Sequence, residues 1–540
     1  MASQFHNLMR FFTVLKNHGI ENAVVSPGSR NAPLIKCLYD LNYQLISSVD
    51  ERSAGFIALG MAKATGKPTI LCSTSGTATL NFYPAITEAY YSRIPMLAIT
   101  ADRTFEQIDQ WEGQSIRQNR VFQNHIRFQC QLDPQSLRTN PDTLGSEIID
   151  VFNQIIPGPV HINVPLSEPL YDFESYKIRI ESNAEISVKR SPLVVSSDSI
   201  QHCLGVDWSD KNVLFFHGMD DGEQISFDAN GQVVLSDATS SVNGNIKLWD
   251  SILHVGLKGG KSLSNLQPDI LVTCGTTTIS KGLKLFLRQF PPSKHFHISY
   301  SNEVGKMFGT DPILIHPNAL KRAKNIKNST TSAYLNKWLR ENSSFEKQMA
   351  NLPWMTFSAF SAVRAILKNL PKKITIHAAN SMAVRYLSFL AHPIIGNRGT
   401  SGIDGCTSTA VGYALRSPGN HLLITGDLAF FYDSNGLWLK SIPSNLKIVV
   451  LNNGGGGIFK MIDGPESMHD AIEYQVTNHQ RSVKSLAEHF ALPYLCIGDS
   501  KDLEQLLTEW LAKDLPAILE IKTTQTEDQY FYSLFNNLRL

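Results

Sequence analysis

The sequence predicts an α/β protein of three doubly wound parallel-sheet domains. Three observations carry that reading. Short β-branched, apolar segments alternate with helical patterns along the whole chain. At 540 residues the chain is too long for one hydrophobic core. Two polar stretches, near residues 181–199 and 324–345, divide the alternation into thirds and set expected domains at 1–182, 195–330 and 350–540.

The first third opens with an amphipathic helix. Phe5, Leu8, Met9, Phe12 and Leu15 recur at helical spacing, interrupted by Arg10 and Lys16, and the pattern stops at Gly19. The charges interrupting the stripe argue against a signal peptide. Ala23–Val25 reads as a buried strand ending in Ser26-Pro27-Gly28, with a helix opening at Asn31-Ala32-Pro33. Gln44–Val49 reads as the next strand and runs directly into Asp50-Glu51-Arg52 and an Ala/Gly-rich helix. Strands at Thr69–Cys72 and Met96–Thr100 follow. The middle block has strands near Val213–Phe216, Val233–Leu235, Ile270–Thr273 and His295–Ser299. The last block has them at Ile374–His377, Leu422–Thr425, Lys447–Leu451 and Ala517–Lys522.

Composition excludes several classes. A formal net charge of +1 provides no basic stripe for general nucleic-acid binding, so any anion site must be a local cluster. The seven cysteines are scattered and form no Cys-x-x-Cys pair, which predicts reduced, mostly buried thiols rather than a disulfide framework or zinc site. No apolar run is long enough to span a bilayer, and a cytoplasmic location is the expectation.

Chemistry concentrates in the last third. Gly426-Asp427 ends one apolar strand, and Asn452-Asn453 followed by four glycines ends the next. Ligands of open parallel sheets bind at that edge. A diphosphate held through Mg²⁺ needs hard oxygen ligands. Asp427 offers a carboxylate oxygen, Asn453 an amide oxygen and Gly455 a main-chain carbonyl, while the glycines let the backbone approach phosphates. Gly-Asp or Asn-Asn-Gly alone is an ordinary turn; the pair at successive strand ends is far more specific.

Glu51 supplies a complementary feature. Thiamine diphosphate is one cofactor that can be held in this way, and it acts once its thiazolium carbon is deprotonated. A carboxylate on the aminopyrimidine ring promotes that step, and it must be aimed by a fixed backbone position. Glu51 stands at a strand end and in the first turn of a helix. The alternative reading is a glutamate that only complements the helix dipole.

Longer strings narrow the assignment. Ser26-Pro27-Gly28-Ser29-Arg30, Asp50-Glu51-Arg52-Ser53-Ala54, Thr74-Ser75-Gly76-Thr77-Ala78, Ala101-Asp102-Arg103, Asn397 through Gly405, and Gly455-Gly456-Gly457-Ile458-Phe459 stand out. Together they resemble the 2-succinyl-5-enolpyruvyl-6-hydroxy-3-cyclohexene-1-carboxylate synthase family of the thiamine-diphosphate-dependent decarboxylase superfamily. The resemblance implies pyrimidine, central and diphosphate domains. It implies menaquinone biosynthesis, with decarboxylation of 2-oxoglutarate and addition of the succinyl unit to isochorismate. It also implies thiamine diphosphate with Mg²⁺ or Mn²⁺, and a homodimer or dimer of dimers with active sites between subunits.

By the same resemblance Glu51 is catalytic. Glu51, Thr74, Gly76, Ser401, Ile403, Asp427, Asn453, Ile458 and Phe459 bind the cofactor, with Ile403 as an apolar wedge that bends it and Ile458 and Phe459 lining the thiazolium pocket. Asp427, Asn453 and Gly455 hold the metal. Ser29, Arg30, Arg103, Gln114, Lys281, Ser381, Arg385 and Arg398 bind substrate. Arg385 and Arg398 are assigned to the succinyl carboxylate, and Arg30, Arg103, Gln114 and Lys281 to isochorismate. Guanidinium forks suit such polyanions. Ser381 and Arg385, four residues apart, are expected on one helix face. Two departures from the family pattern are glycines, Gly454 and Gly282, at positions where relatives often carry larger residues. An acetolactate-type carboligase is the nearest alternative, and the arginine set argues against it. A non-catalytic nucleotide-binding regulator is more distant, because it has no use for Glu51.

Overall fold

The computed structural model describes residues 4–135, 140–153, 157–173, 192–228, 231–260, 263–320, 332–371, 373–501, 503–512 and 516–539. Packing groups the chain into two units. One comprises Met1–Lys189, Asn397–His421 and Ala429–Leu446; the other comprises Arg190–Gly396, Leu422–Leu428 and Lys447–Leu540.

The first unit is built on strands β1 (Asn22–Val25), β2 (Gln44–Ser47), β3 (Thr69–Ser73), β4 (Met96–Asp102), β5 (Phe128–Gln131) and β6 (Pro159–Pro165), ordered β2-β1-β3-β4-β6-β5. Every neighbouring pair is parallel. β1, β3, β4 and β6 are buried along their whole length, as a sheet covered on both faces requires. The helix Gln4–Asn17 buries Phe5, Leu8, Phe12 and Leu15 as its spacing predicts. The helix Glu51–Thr65 is buried from Ser53 to Ala62. Its small residues explain how. A Cβ on Gly60 would meet the Thr409 carbonyl oxygen at 2.1 Å, and one on Gly412 the Ile57 oxygen at 2.0 Å. Glycine at both crossings lets this helix and the helix Cys406–Ala414 touch backbone to backbone.

The second unit carries β7 (Leu193–Val195), β8 (Val213–His217), β9 (Ile225–Phe227), β10 (Val233–Ser236), β11 (Ile270–Cys274), β12 (Lys294–Ile298) and β13 (Ile313–Ile315). It also carries β14 (Ile374–Ala378), β15 (Asn420–Gly426), β16 (Leu446–Asn452), β17 (Tyr494–Ile497) and β18 (Ala517–Lys522). They form sheets ordered β10-β8-β11-β12-β13 and β14-β15-β16-β18-β17, with β7 and β9 as a separate pair. One apolar cluster, including Leu214, Trp249, Trp338, Phe360, Leu422 and Phe535, runs through both large sheets.

The polar run 324–345 is more structured than its composition suggests. Residues 321–331 lie outside the described residues, but Ala333–Ala350 is a helix capped by Ser332, whose Oγ accepts from Leu335 N at 3.1 Å. It buries Tyr334, Trp338 and Phe345, a stripe too sparse to stand out among charges. In the other polar run, residues 181–191 lie outside the described residues. β7 and the helix Ser197–Leu204, opened by a Ser196–Ser199 capping box, follow directly. Strands β5, β6, β7, β9, β13 and β17 are not anticipated by the sequence reading; they are three to seven residues long, β7 lies in a stretch read as polar linker, and β6 begins and ends in proline. No helix among the described residues is long and apolar enough to cross a membrane. All seven cysteines are free; Cys37, Cys72, Cys274 and Cys406 are buried and Cys203 is exposed.

Candidate active site

In the first unit the strand order reverses between β1 and β3, the crevice where open α/β sheets bind ligands. The loops after these strands meet there. A Cβ on Gly28 would lie 2.4 Å from the Thr74 Cβ, so only glycine allows that approach. Glu51 follows β2 as the first residue of its helix, half-buried. Asp50, not Glu51, caps the helix: its Oδ1 accepts from Arg52 N at 2.9 Å and Ser53 N at 3.3 Å. Asn435 Nδ2 donates to the other Asp50 oxygen at 2.8 Å, and Arg52 donates to the Tyr432 carbonyl at 2.7 Å while lying over its ring. The backbone at Glu51 is thus fixed on both sides, and its carboxylate is spared the capping role.

The same edge gathers cations. Arg30 is buried; its Nη1 donates to the Leu166 carbonyl at 2.7 Å and its Nη2 lies 3.1 Å from Glu168. Arg103 donates to the Gly113 carbonyl through Nε at 2.9 Å and Nη2 at 2.6 Å, with Glu112 at 3.4 Å. Burial, and then the Arg103 charge, lower the Arg30 pKa below the usual guanidinium value. Two guanidinium groups close enough to oppose each other favour an anion beside them. Gln114 sits at φ +55°, its carbonyl accepting from Ser75 Oγ at 2.7 Å. A Cβ on Gly76 would meet Gln114 Cα at 3.2 Å. Beneath them, Gln118 Oε1 accepts from Gly76 N at 2.8 Å and its Nε2 donates to Asn163 Oδ1 at 2.9 Å; Asn163 Nδ2 donates to Asp102 at 2.7 Å. Ser29 is exposed beside Arg30.

Arg398, Ser401 and Ile403 lie on the loop Asn397–Gly405, also in the first unit. Glu88, with no exposed surface, organises it by accepting from Gly399 N (2.9 Å), Thr400 N (2.7 Å), Thr400 Oγ1 (2.8 Å) and Ser92 Oγ (2.7 Å). Ile403 is 38% exposed, which removes core packing as its role. Each buried donor left without a partner costs about 1–3 kcal/mol. Glu88→Ala is therefore expected to destabilise the protein by about 3 kcal/mol or more, read as a lower denaturant midpoint, whereas Glu88→Gln, keeping one acceptor, costs less.

In the second unit, β15 and β16 are neighbours and their ends carry the predicted diphosphate motif. Asp427 is buried. Its Oδ1 accepts from Leu428 N at 2.7 Å, and its Oδ2 accepts from Gly454 N and Gly455 N, both at 2.9 Å. His479 Nε2 lies 3.4 Å from the same oxygen. Burial raises the Asp427 pKa, opposed by those backbone donors and by His479. Gly454 (φ +79°) and Gly455 (φ +151°) adopt conformations that L side chains avoid, which explains the first glycine departure. Asn453 donates through Nδ2 to Asp528 at 2.8 Å, leaving its Oδ1 as the amide's acceptor end. The Gly455 carbonyl accepts from Gly457 N at 2.9 Å and keeps a second lone pair. One carboxylate, one amide oxygen and one carbonyl make a hard donor set, short of a full shell and suited to a cation shared with phosphates. Ile458 and Phe459, half-buried, follow in the turn Gly457–Lys460.

Lys281, Ser381 and Arg385 are also in the second unit. Lys281 is exposed and opens the helix Lys281–Gln289 behind its cap, Ser280. A Cβ on Gly282 would stand 3.1 Å from His254 N, which accounts for the second glycine departure. Ser381 does not share a helix face with Arg385. The helix starts at Met382, and Ser381 precedes it at φ +75°, its carbonyl accepting from Arg385 Nη1 at 2.7 Å. The buried Asp250 accepts from Ser280 and Ser388, tying the Lys281 and Arg385 helices together. Burial lifts its carboxyl to about 6.

The N-terminal TPP binding domain of thiamine pyrophosphate enzymes matches residues 9–128, and the C-terminal TPP binding domain matches residues 380–521. The 2-succinyl-5-enolpyruvyl-6-hydroxy-3-cyclohexene-1-carboxylate synthase of Cytophaga hutchinsonii is 35% identical over 97% of both chains. That of Flavobacterium johnsoniae is 36% identical over 96% of both, and that of Bacteroides fragilis is 32% identical over 99% of this chain and 100% of its own. The chain belongs to this synthase family. It is a thiamine-diphosphate-dependent transferase. A benzoylformate decarboxylase from Polynucleobacter necessarius shares the fold, with a TM-score of 0.68, 15% identity and coverage of 96% of this chain and 98% of its own.

Sequence motifs of the synthase family did not single out Asp50 as the cap, Glu88, Gln118, Asn163, His479 or Asp528. Each acts through a side chain distant in sequence: Glu88 is 311 positions from Gly399, and Asp528 is 75 from Asn453. The capping position of Asp50 is the exception, since an aspartate directly before a helix is a local signal.

Proposed function

We propose that this protein decarboxylates 2-oxoglutarate and adds the succinyl unit to isochorismate, with thiamine diphosphate held through Mg²⁺ or Mn²⁺ by Asp427, Asn453 and Gly455. Bound cofactor supplies a nucleophilic carbon; the residues of this chain aim and neutralise the reactants around it. Glu51 takes up a hydrogen bond to the aminopyrimidine ring from its fixed helix start. Thr74, Gly76, Ser401, Ile403, Ile458 and Phe459 are assigned to the cofactor. Ser29, Arg30, Arg103, Gln114, Lys281, Ser381, Arg385 and Arg398 are assigned to the two substrates. The active enzyme is a homodimer or dimer of dimers, with the Glu51 of one subunit serving the diphosphate site of another.

The observation that most supports the substrate class is the Arg30–Arg103 pair, held at one sheet edge despite mutual repulsion. That pair suits the polyanionic acceptor, whereas the second carboxylate of 2-oxoglutarate is assigned to Arg385 and Arg398; a charge-assisted hydrogen bond to it contributes about 1.5–3 kcal/mol, so 2-oxoglutarate should exceed pyruvate in kcat/KM by about tenfold to more than a hundredfold. The assay compares both donors with isochorismate, with and without thiamine diphosphate and metal. Preference for pyruvate overturns the substrate assignment. Chelation should abolish turnover, and Mg²⁺ or Mn²⁺ should restore it.

A further inference from the structure

The Asn453 amide can offer a cation either its oxygen or its NH₂, and only the oxygen can ligate. The choice is made by a residue on another element. Asp528, in the helix Gln525–Asn536, is 2% exposed. Its two oxygens have separate duties. Oδ1 accepts from the backbone N of Ala359 at 2.7 Å, at the start of the helix Ala359–Asn369. Oδ2 accepts from Asn453 Nδ2 at 2.8 Å and from Thr523 Oγ1 at 3.1 Å. Gly457 closes the space behind the amide: a Cβ there would lie 2.7 Å from Asn453 Nδ2.

We propose that Asp528 is a positioning residue that fixes the Asn453 amide with its oxygen toward the metal. It touches neither metal nor cofactor and acts only through that amide. The inference rests on the metal reading of Asp427, Asn453 and Gly455. Its logic is one of donors and acceptors. A carboxylate accepts at both oxygens, so it can hold a backbone N–H on one side and an amide NH₂ on the other. A carboxamide has a single oxygen. In Asp528→Asn that oxygen is claimed by the Ala359 N–H, which cannot turn. The new NH₂ then faces the Asn453 NH₂. Rotating the Asn453 amide relieves the clash and turns its NH₂ toward the cation, where it cannot ligate.

The test measures Mn²⁺ affinity by electron paramagnetic resonance, with thiamine diphosphate present, in the full-length protein. Unfolding midpoints confirm that each variant is folded. Asp528→Asn is expected to weaken Mn²⁺ binding at least tenfold, and the apparent thiamine diphosphate affinity should fall at limiting Mn²⁺ and recover at high Mn²⁺. The double exchange Asn453→Asp with Asp528→Asn reverses the hydrogen bond: the new carboxylate at 453 accepts from the new amide at 528 and keeps an oxygen for the metal. It should restore Mn²⁺ affinity to within threefold of the parent, which a merely structural Asp528 does not predict. Parental affinity in the single variant, or a loss that the exchange does not repair, overturns the proposal while leaving the metal reading intact. A parent protein whose Mn²⁺ binding is indifferent to thiamine diphosphate overturns the metal reading and this inference with it.

Discussion

Replacing Glu51 by glutamine is expected to reduce turnover by about a thousandfold while the fold and cofactor affinity are largely kept; positioned acid–base groups contribute about 10²–10⁴-fold. Glutamine has the same shape but cannot stabilise a proton shared with the pyrimidine ring nitrogen. Helix stability is not at stake, because Asp50 caps the helix and Arg52 anchors it to the Tyr432 carbonyl. That separation makes the variant informative. A glutamate serving only the helix dipole contributes about 0.3–1 kcal/mol to stability, with no effect on turnover. Turnover at saturating substrates, thiamine diphosphate affinity and the unfolding midpoint distinguish the two roles. Unchanged turnover would remove Glu51 from the mechanism.

The Asp427→Ala variant is expected to lose metal-dependent cofactor binding altogether. The carboxylate has about four lone-pair positions, and three accept the N–H groups of Leu428, Gly454 and Gly455. It therefore shapes the glycine loop and, on the proposed metal reading, would offer its remaining position to the cation. Alanine removes both functions: the Gly455 N–H loses its carboxylate acceptor, while the Gly454 N–H keeps only Asn452 Oδ1 at 3.1 Å. Titration of thiamine diphosphate at saturating Mg²⁺ should show an affinity at least a hundredfold below that of the parent, and retained affinity would remove Asp427 from the site. The same variant tests the subunit arrangement. Mixed with Glu51→Gln and allowed to exchange, it should recover about a quarter of parental activity: half of random dimers are hybrids, and each hybrid has one intact site of two. No recovery from verified hybrids would place Glu51 and Asp427 in the same chain's site.

Local signals and long-range contacts divide this protein cleanly. The positions of most long strands, the first helix, the Glu51 helix and the Gly-Asp and Asn-Asn-Gly strand ends are written in short windows, because hydrophobic period and turn chemistry act over a few residues. The cofactor class was legible for the same reason: its motifs are contiguous. The helix Ala333–Ala350 was read only as a polar stretch, since three buried aromatic residues in a charged run become meaningful only against the core they enter. Ser381 was placed on a helix face by spacing, yet the backbone turns at it before the helix begins. The grouping of segments 397–421 and 429–446 with the first sheet was decided by close helix packing through Gly60 and Gly412, an interaction between chain segments hundreds of residues apart. By itself, the sequence determined the parallel α/β class, the family and the candidate residues for the chemistry. Tertiary structure decided what holds them: Asp50 beneath Glu51, Glu88 beneath the Arg398 loop and Asp528 beneath Asn453. A hydrogen bond needs two partners within about 3 Å, and a linear sequence shows which groups can bond without showing which of them meet.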